Sequence, residues 1–173
     1  LRQRKGVTLG LAWLSLASGQ LRVTELPTDE GQLLLRVRQE LERIAPAEIL
    51  VDSQCAALLN EMPGLRPTTV ADWHFETAAA RHSLLEQLGA GTLAGFGADK
   101  LEAALGAAGA LLVYARNTQG KNLQHVRTLQ VEKEDEFIGM DAATRRNLEL
   151  TKPLRGAEGQ APTLFSLLDH CRT

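Results

Sequence analysis

The histidines and cysteines of this sequence are its candidate metal ligands and nucleophiles, and they are few. Among them, His74 and His82 lie eight positions apart, His125 and His170 each stand alone, and Cys55 and Cys171 show no CxxC spacing. Structural zinc sites bring about four such ligands together, usually from closely spaced pairs. The sequence therefore favours structural roles for these residues, although the partners of a nucleophile could still meet in the fold.

Carboxylates could instead hold magnesium for a nuclease. Two-metal catalysis requires several acidic side chains around a pair of ions. Glu25 and Asp52 are isolated candidates, and the first predicted strand, residues 7–16, contains no Asp or Glu and has Ser15 as its polar position. A hairpin followed by alternating helices and strands is compatible with a ribonuclease H-like architecture. A metal-dependent nuclease of that type is therefore the alternative function.

The glycine-rich stretch GAGTLAGFG at 89–97 is the candidate phosphate-binding loop. Such a loop joins a strand to a helix and ends in Gly-Lys followed by Ser or Thr, whose side chains reach the phosphates and magnesium. This stretch follows a predicted helix and lacks that ending. It therefore indicates a connecting loop.

Alternating strands and helices must position any site. Residues 7–16 form a nearly continuous apolar run, which predicts a strand buried on both faces, and 21–26 alternate as the second strand of a hairpin. Thr28 is the predicted N-cap of a helix that Pro46 ends, before a short strand at 48–51. The inward face of that helix carries residues at spacings of three or four, namely Leu34, Val37, Leu41 and Ile44.

Two further helices are predicted before the next strand. The first begins near residue 76 and ends before Gly89, because glycine suits the left-handed position after a helix. The second follows a capping box, Asp99–Glu102. Gly106 and Gly109 lie inside it among alanines, which indicates close approach to another element, and we expect that element to be the sheet.

The remaining chain predicts a strand at about 126–131, a shorter strand at 137–140 and a helix opened by Asp141. We therefore expect an α/β domain, a mixed sheet flanked by helices, over residues 7–139, with residues 1–6 as a linker. Residues 140–173 are expected to be an α-helical segment that opens another domain.

Composition limits the classes of function. The 173 residues are 44% hydrophobic and 23% charged, as in ordinary globular proteins, and the net charge of -2 provides no global field for nucleic acid. The longest apolar run, 109–115, is far short of the ~20 residues that span a bilayer. Two cysteines without a disulfide framework favour a reducing cytoplasm. Because the chain begins at Leu1 and ends within an apolar pattern, we expect a piece of a longer protein.

Several stretches together resemble the bacterial MutS family of DNA mismatch-recognition proteins. They are GLAWLSLASGQLRVTEL, LAGFG, AAGALLVYARNTQ, QHVRTL and, most specifically, MDAATRRNLEL followed by TLFSLLDHCRT, and they occur in the order of the family. The resemblance implies a connector domain, ribonuclease H-like but without the nuclease site, followed by the start of the helical core or lever domain. It therefore implies no enzymatic activity for this chain.

The resemblance also implies partners. A MutS protein is a dimeric ATPase that binds mispaired DNA and recruits MutL. The mismatch-reading loop and the ATP- and magnesium-binding domain lie outside this sequence, so no cofactor is expected here. In the family, polar residues on a connector helix help to dock MutL, and Arg81, His82 and Ser83 in AAARHSLLEQLG match them, with His-Ser where relatives often have two glutamines. An ordinary solvated face is the alternative for these residues.

The paired arginines of MDAATRRNLEL raise the question of DNA contact. Two arginines offer too few phosphate contacts for useful affinity at physiological salt. We therefore expect Asp141, Arg145 and Arg146 to join the connector to the core domain through ion pairs and packing.

Overall fold

The computed structural model describes residues 6–60, 62, 64–118, 123–133, 144, 147–149 and 163. It begins with the predicted hairpin. Strand β1 (Gly6–Ser15) pairs antiparallel with β2 (Gln20–Asp29) along their whole length. Gly19 closes the turn with a φ of 69°, and a Cβ at this position would lie 2.6 Å from the carbonyl oxygen of His125. Only glycine fits both the backbone conformation and the space.

Strand β2 continues beyond its predicted end. Pro27 and Thr28 pair with Thr8 and Val7, so the prediction that Thr28 caps a helix was wrong. Proline is tolerated where a strand has only one neighbour. That condition holds at Pro27, because the other described neighbour of β2 pairs only with residues 20–23.

The strand β1 was predicted to be buried on both faces, and this was wrong. None of its ten residues is fully buried, because β1 lies at the edge of a sheet with the order β1-β2-β5. The central strand β2 is the buried one, with Leu21 and Val23 fully inaccessible. Strand β5 (Thr128–Val131) runs parallel to β2 and makes the sheet mixed.

One face of the sheet carries helix α1 (Leu33–Ile44) and a smaller unit. Val37 is buried, as its helical spacing predicted, and α1 ends at a left-handed Ala45 before Pro46. Strands β3 (Leu50–Val51) and β4 (Thr68–Thr69) pair in parallel around helix α2 (Ser53–Leu59). Their apolar side chains form one cluster with α1 and with β1, centred on Val37, Val51 and Leu59.

Helices α3 (Thr77–Leu88) and α4 (Glu102–Thr118) cover the other face and form the main core with Leu21 and Val23. Gly89 ends α3 with a φ of 62°, as predicted. The predicted capping box was wrong: α4 begins at Glu102. The first helical hydrogen bond runs from the Leu105 amide to the Leu101 carbonyl at 3.0 Å, so the cap position belongs to Leu101.

Close backbone approach occurs at the glycines of α4, but not against the sheet as expected. A Cβ on Gly106 would meet the carbonyl of Phe75, and one on Gly109 would meet Ala80 of α3. Contact with the sheet instead depends on Gly10 of β1, which lies against the backbone of Ala103 and Ala104. Helices α3 and α4 pack so closely at Gly109 because Ala80 opposite it is also small.

The predicted α/β class, with a mixed sheet flanked by helices, is confirmed. In the described part of the chain, no helix combines the length and apolarity needed to cross a membrane. The predicted strand at 137–140, the helix opened by Asp141 and the domain boundary near residue 140 lie outside the described residues.

Candidate functional site

Helix α3 presents a narrow exposed face. Ala80 and Leu84 point into the core against α4, whereas Ala78, His82 and Glu86, spaced by four residues, are exposed. Residues four apart lie on the same side of a helix. The short side chain of Ala80 allows α3 to sit directly on α4, which holds the exposed face on a rigid support.

The three residues predicted to bind a partner are not equivalent in the structure. Arg81 is partly exposed, and its guanidinium donates a 2.7 Å hydrogen bond to the carbonyl of Asp99, which ties α3 to the turn before α4. Ser83 is also half-buried. His82 is exposed, at the middle of the α3 face. Helical spacing from His82 would have identified Ala78 and Glu86 as its neighbours on that face.

A shallow polar depression adjoins the C-terminal ends of α3 and α4. It has a volume of about 320 Å³ and is lined by Glu86, Gln87, Arg116, Gln124 and Arg127. Periodicity did not reveal it, because its residues come from two helices and from the segment that precedes β5.

Gln87 organises this depression. Its amide nitrogen donates to the carbonyls of Leu123 and Val126 at 2.8 and 3.0 Å. Its amide oxygen accepts from Nη2 and Nε of Arg116 at 2.9 and 3.3 Å. One side chain therefore connects α3, α4 and the chain entering β5, and it orients the Arg116 guanidinium.

A second charged cluster joins the sheet to α1. The side chain of Glu132, 9% exposed, accepts from Arg22 of β2 at 2.8 Å and from Arg43 of α1 at 2.9 Å. Arg43 also pairs with Glu40 at 2.7 Å and lies 5.1 Å from the ring centre of Trp13. Glu132 follows directly after β5, so this cluster fixes the end of β5 to helix α1.

The candidate carboxylates for a nuclease do not form a metal site. Asp52 is occupied as the N-cap of α2, accepting from the Cys55 amide at 2.6 Å. Glu25 pairs with Gly10 on the sheet face that α4 covers. Among the described residues, no three His, Cys, Asp or Glu side chains are grouped so that they could hold a metal ion. The nuclease alternative is therefore not supported.

Two of the histidines make contacts within the fold. His74 stacks on Trp73 with ring centres 3.6 Å apart, and His125 hydrogen-bonds the carbonyl of Leu16 at 2.9 Å. Cys55 is exposed as a whole residue, but partial desolvation of its thiol, followed by the hydrogen bond and charge of Asp52, raises the pKa of that thiol to about 11. A thiol with so high a pKa is a poor nucleophile at neutral pH.

The residues predicted to join two domains, Asp141, Arg145 and Arg146, lie outside the described residues, and their role stays a prediction.

A family model described as MutS domain II matches residues 2–127, well over half of the 173-residue chain. The match covers every element from β1 to α4.

Proposed function

This chain belongs to the MutS family of DNA mismatch repair proteins through its domain II, the connector domain, and we propose that it docks MutL with the exposed face of α3. We further propose that it passes movements between the domains beside it. In this proposal the chain performs no chemistry of its own. ATP, magnesium and mismatched DNA are bound by other domains of a dimeric, cytoplasmic parent protein.

The observation that carries the docking proposal is the contrast between the two sides of α3. The inner side is held by Ala80 against Gly109 and by Arg81 on the Asp99 carbonyl. The outer side exposes His82 and Glu86. A preformed and rigid face loses little conformational entropy on binding, which favours its use as a docking surface.

The charged cluster at Glu132 supports the proposed transmission of movement. Ion pairs from one carboxylate to two different elements hold the end of β5 and α1 together. A pull on the chain after residue 132 would therefore move the sheet and α1 as one unit. The Gln87 bonds extend this linkage to α3 and α4.

The docking proposal is tested by titrating the chain with the ATPase domain of its cognate MutL in a calorimeter. His82→Glu places a charge at the centre of the α3 face without removing an intramolecular hydrogen bond seen among the described residues. We expect this variant to weaken binding about tenfold, or about 1.4 kcal/mol. A like-charged or unpaired carboxylate in an interface can cost up to several kcal/mol, and the exposed position of His82 places the cost at the lower end.

The matched control is Leu35→Glu. Leu35 is 58% exposed on α1, across the sheet from α3, and receives the same charge. It should leave the affinity unchanged. Equal affinities for His82→Glu and the unaltered chain, with both shown to be folded by circular dichroism, would contradict docking through this face.

A further inference from the structure

We propose that the polar depression lined by Glu86, Gln87, Arg116, Gln124 and Arg127 receives a carboxylate side chain of the protein that docks on α3. The inference rests on the proposed function and specifies its chemistry. The partner would present an acidic residue to the two arginines, beside the contact that it makes with His82.

The two arginines are available for an external anion. In the described part of the chain, neither Arg116 nor Arg127 lies within ion-pair distance of a carboxylate, whereas Arg22, Arg38 and Arg43 all do. A guanidinium offers five N–H donors in a planar fork that matches a carboxylate. Arg116 uses two of its N–H groups on one neutral oxygen of Gln87, so its positive charge is not neutralised there.

The depression is also organised before any ligand arrives. Gln87 is held by two backbone carbonyls and in turn holds Arg116. The Nε of Arg127 donates to the carbonyl of Gln124 at 3.0 Å, which orients the outer part of its guanidinium. Groups fixed in advance bind a ligand at a lower entropic cost than mobile ones.

Glu86 indicates which class of anion fits. It is exposed on the α3 face and also lines the depression, so the two surfaces are continuous. Its carboxylate repels a chain of phosphates, which carries many negative charges, more strongly than it repels a single carboxylate, and the net charge of -2 adds no attraction for a polyanion. A protein surface with an acidic residue beside a basic one complements both the arginines and Glu86.

The experiment measures the affinity of the chain for the ATPase domain of its cognate MutL at low and at physiological salt. Arg127→Glu reverses one charge at the exposed rim, and Arg127→Gln removes it. We expect roughly tenfold weaker binding for the reversal, a smaller loss for the glutamine, and a weaker salt dependence for both.

Arg38→Glu is the matched control, because Arg38 is exposed on α1 across the sheet and undergoes the same substitution. It should bind as the unaltered chain does. His82→Glu, measured in parallel, separates the two proposals. If His82→Glu weakens binding while Arg127→Glu does not, the carboxylate site is overturned and the α3 docking face stands.

Two other outcomes overturn the inference. If the folded, unaltered chain does not bind the MutL domain at all, both proposals fail. If the chain binds a labelled DNA duplex and loses that binding in Arg127→Glu, while MutL binding is unchanged, the depression is a phosphate site and not a carboxylate site.

Discussion

Replacing Gly109 by alanine should have two opposite effects on the stability of the chain, and the size of each is known. In a free helix, Gly→Ala is stabilising by about 1 kcal/mol. Here the added Cβ would lie 2.6 Å from the Cα of Ala80. Carbon atoms in contact normally lie about 3.5–4.0 Å apart, so α3 would have to retreat by about 1 Å.

The second effect should win, because the obstacle is helix backbone that cannot rotate away. Ala80 and Leu84 are almost completely buried, so an outward shift of α3 would break their contacts with the core and expose them. Overpacking typically costs about 1–3 kcal/mol. Because the added Cβ would meet rigid helix at 2.6 Å, the cost should lie in the upper part of that range, at about 2–3 kcal/mol. After the gain of about 1 kcal/mol in helix propensity, we expect Gly109→Ala to lower the free energy of unfolding by about 1–2 kcal/mol.

Urea denaturation followed by circular dichroism measures this change. With a slope of about 2 kcal/mol/M, the midpoint should fall by about 0.5–1 M. Gly95→Ala is the control, because nothing lies within 4 Å of a Cβ at Gly95 and its φ is not left-handed. We expect that control to change stability by less than about 0.5 kcal/mol.

An unchanged or higher midpoint for Gly109→Ala would refute the reasoning, because it would show that α3 moves away from α4 at no cost. If the helix does move, the α3 face moves with it. Binding of the MutL ATPase domain should then weaken in Gly109→Ala although His82 itself is untouched.

Three further predictions concern charged and titrating groups. Glu132→Ala should destabilise the chain by about 2 kcal/mol, and Glu132→Gln should cost less. The loss is below the usual ~3–5 kcal/mol for breaking a buried pair because the two arginine partners are about one-third exposed. Equal urea midpoints for both variants and the unaltered chain would contradict this prediction. The amide and hydroxyl of Ser53 donate to Asp72 and lower the pKa of the Asp72 carboxyl below 3.8. The ionised Asp72 therefore contributes to stability above pH 3.8, and this contribution is lost as the pH falls through the lowered pKa. Asp72→Asn should flatten the acid side of a plot of Tm against pH, and an unchanged slope would count against the assignment. In a Cys171→Ser background, Cys55 should react with iodoacetamide at pH 8 roughly tenfold more slowly than a thiol with its ordinary pKa of 9.0. Its pKa of about 11 lowers the thiolate fraction, and the greater nucleophilicity of that thiolate offsets part of the loss. Alkylation at the rate of a free thiol, followed by mass spectrometry, would disprove the shift.

Local patterns were sufficient to predict most of the elements. The apolar spacing that includes Val37, and the position of Gly89, predicted helices whose burial and end the structure confirms. The hairpin was predicted from an apolar run, a short turn and an alternating strand. These signals work because burial repeats every two residues in a strand and every 3.6 residues in a helix. Turns depend on the types of a few neighbouring residues. The MutS family was also recognised from motifs, and the domain II match confirms it.

Packing between distant segments decided the rest. The glycines among alanines indicated that Gly109 has a close neighbour. That this neighbour is Ala80 and not the sheet was decided by the packing of α3 on α4. Arg81 was predicted to face a partner, which stays a prediction, and the structure adds a hydrogen bond from its guanidinium to a carbonyl 18 residues away. The linkage through Gln87 and the double ion pair of Glu132 join residues up to 110 positions apart. No periodic pattern encodes such contacts, because they depend on how whole elements are placed relative to one another in three dimensions.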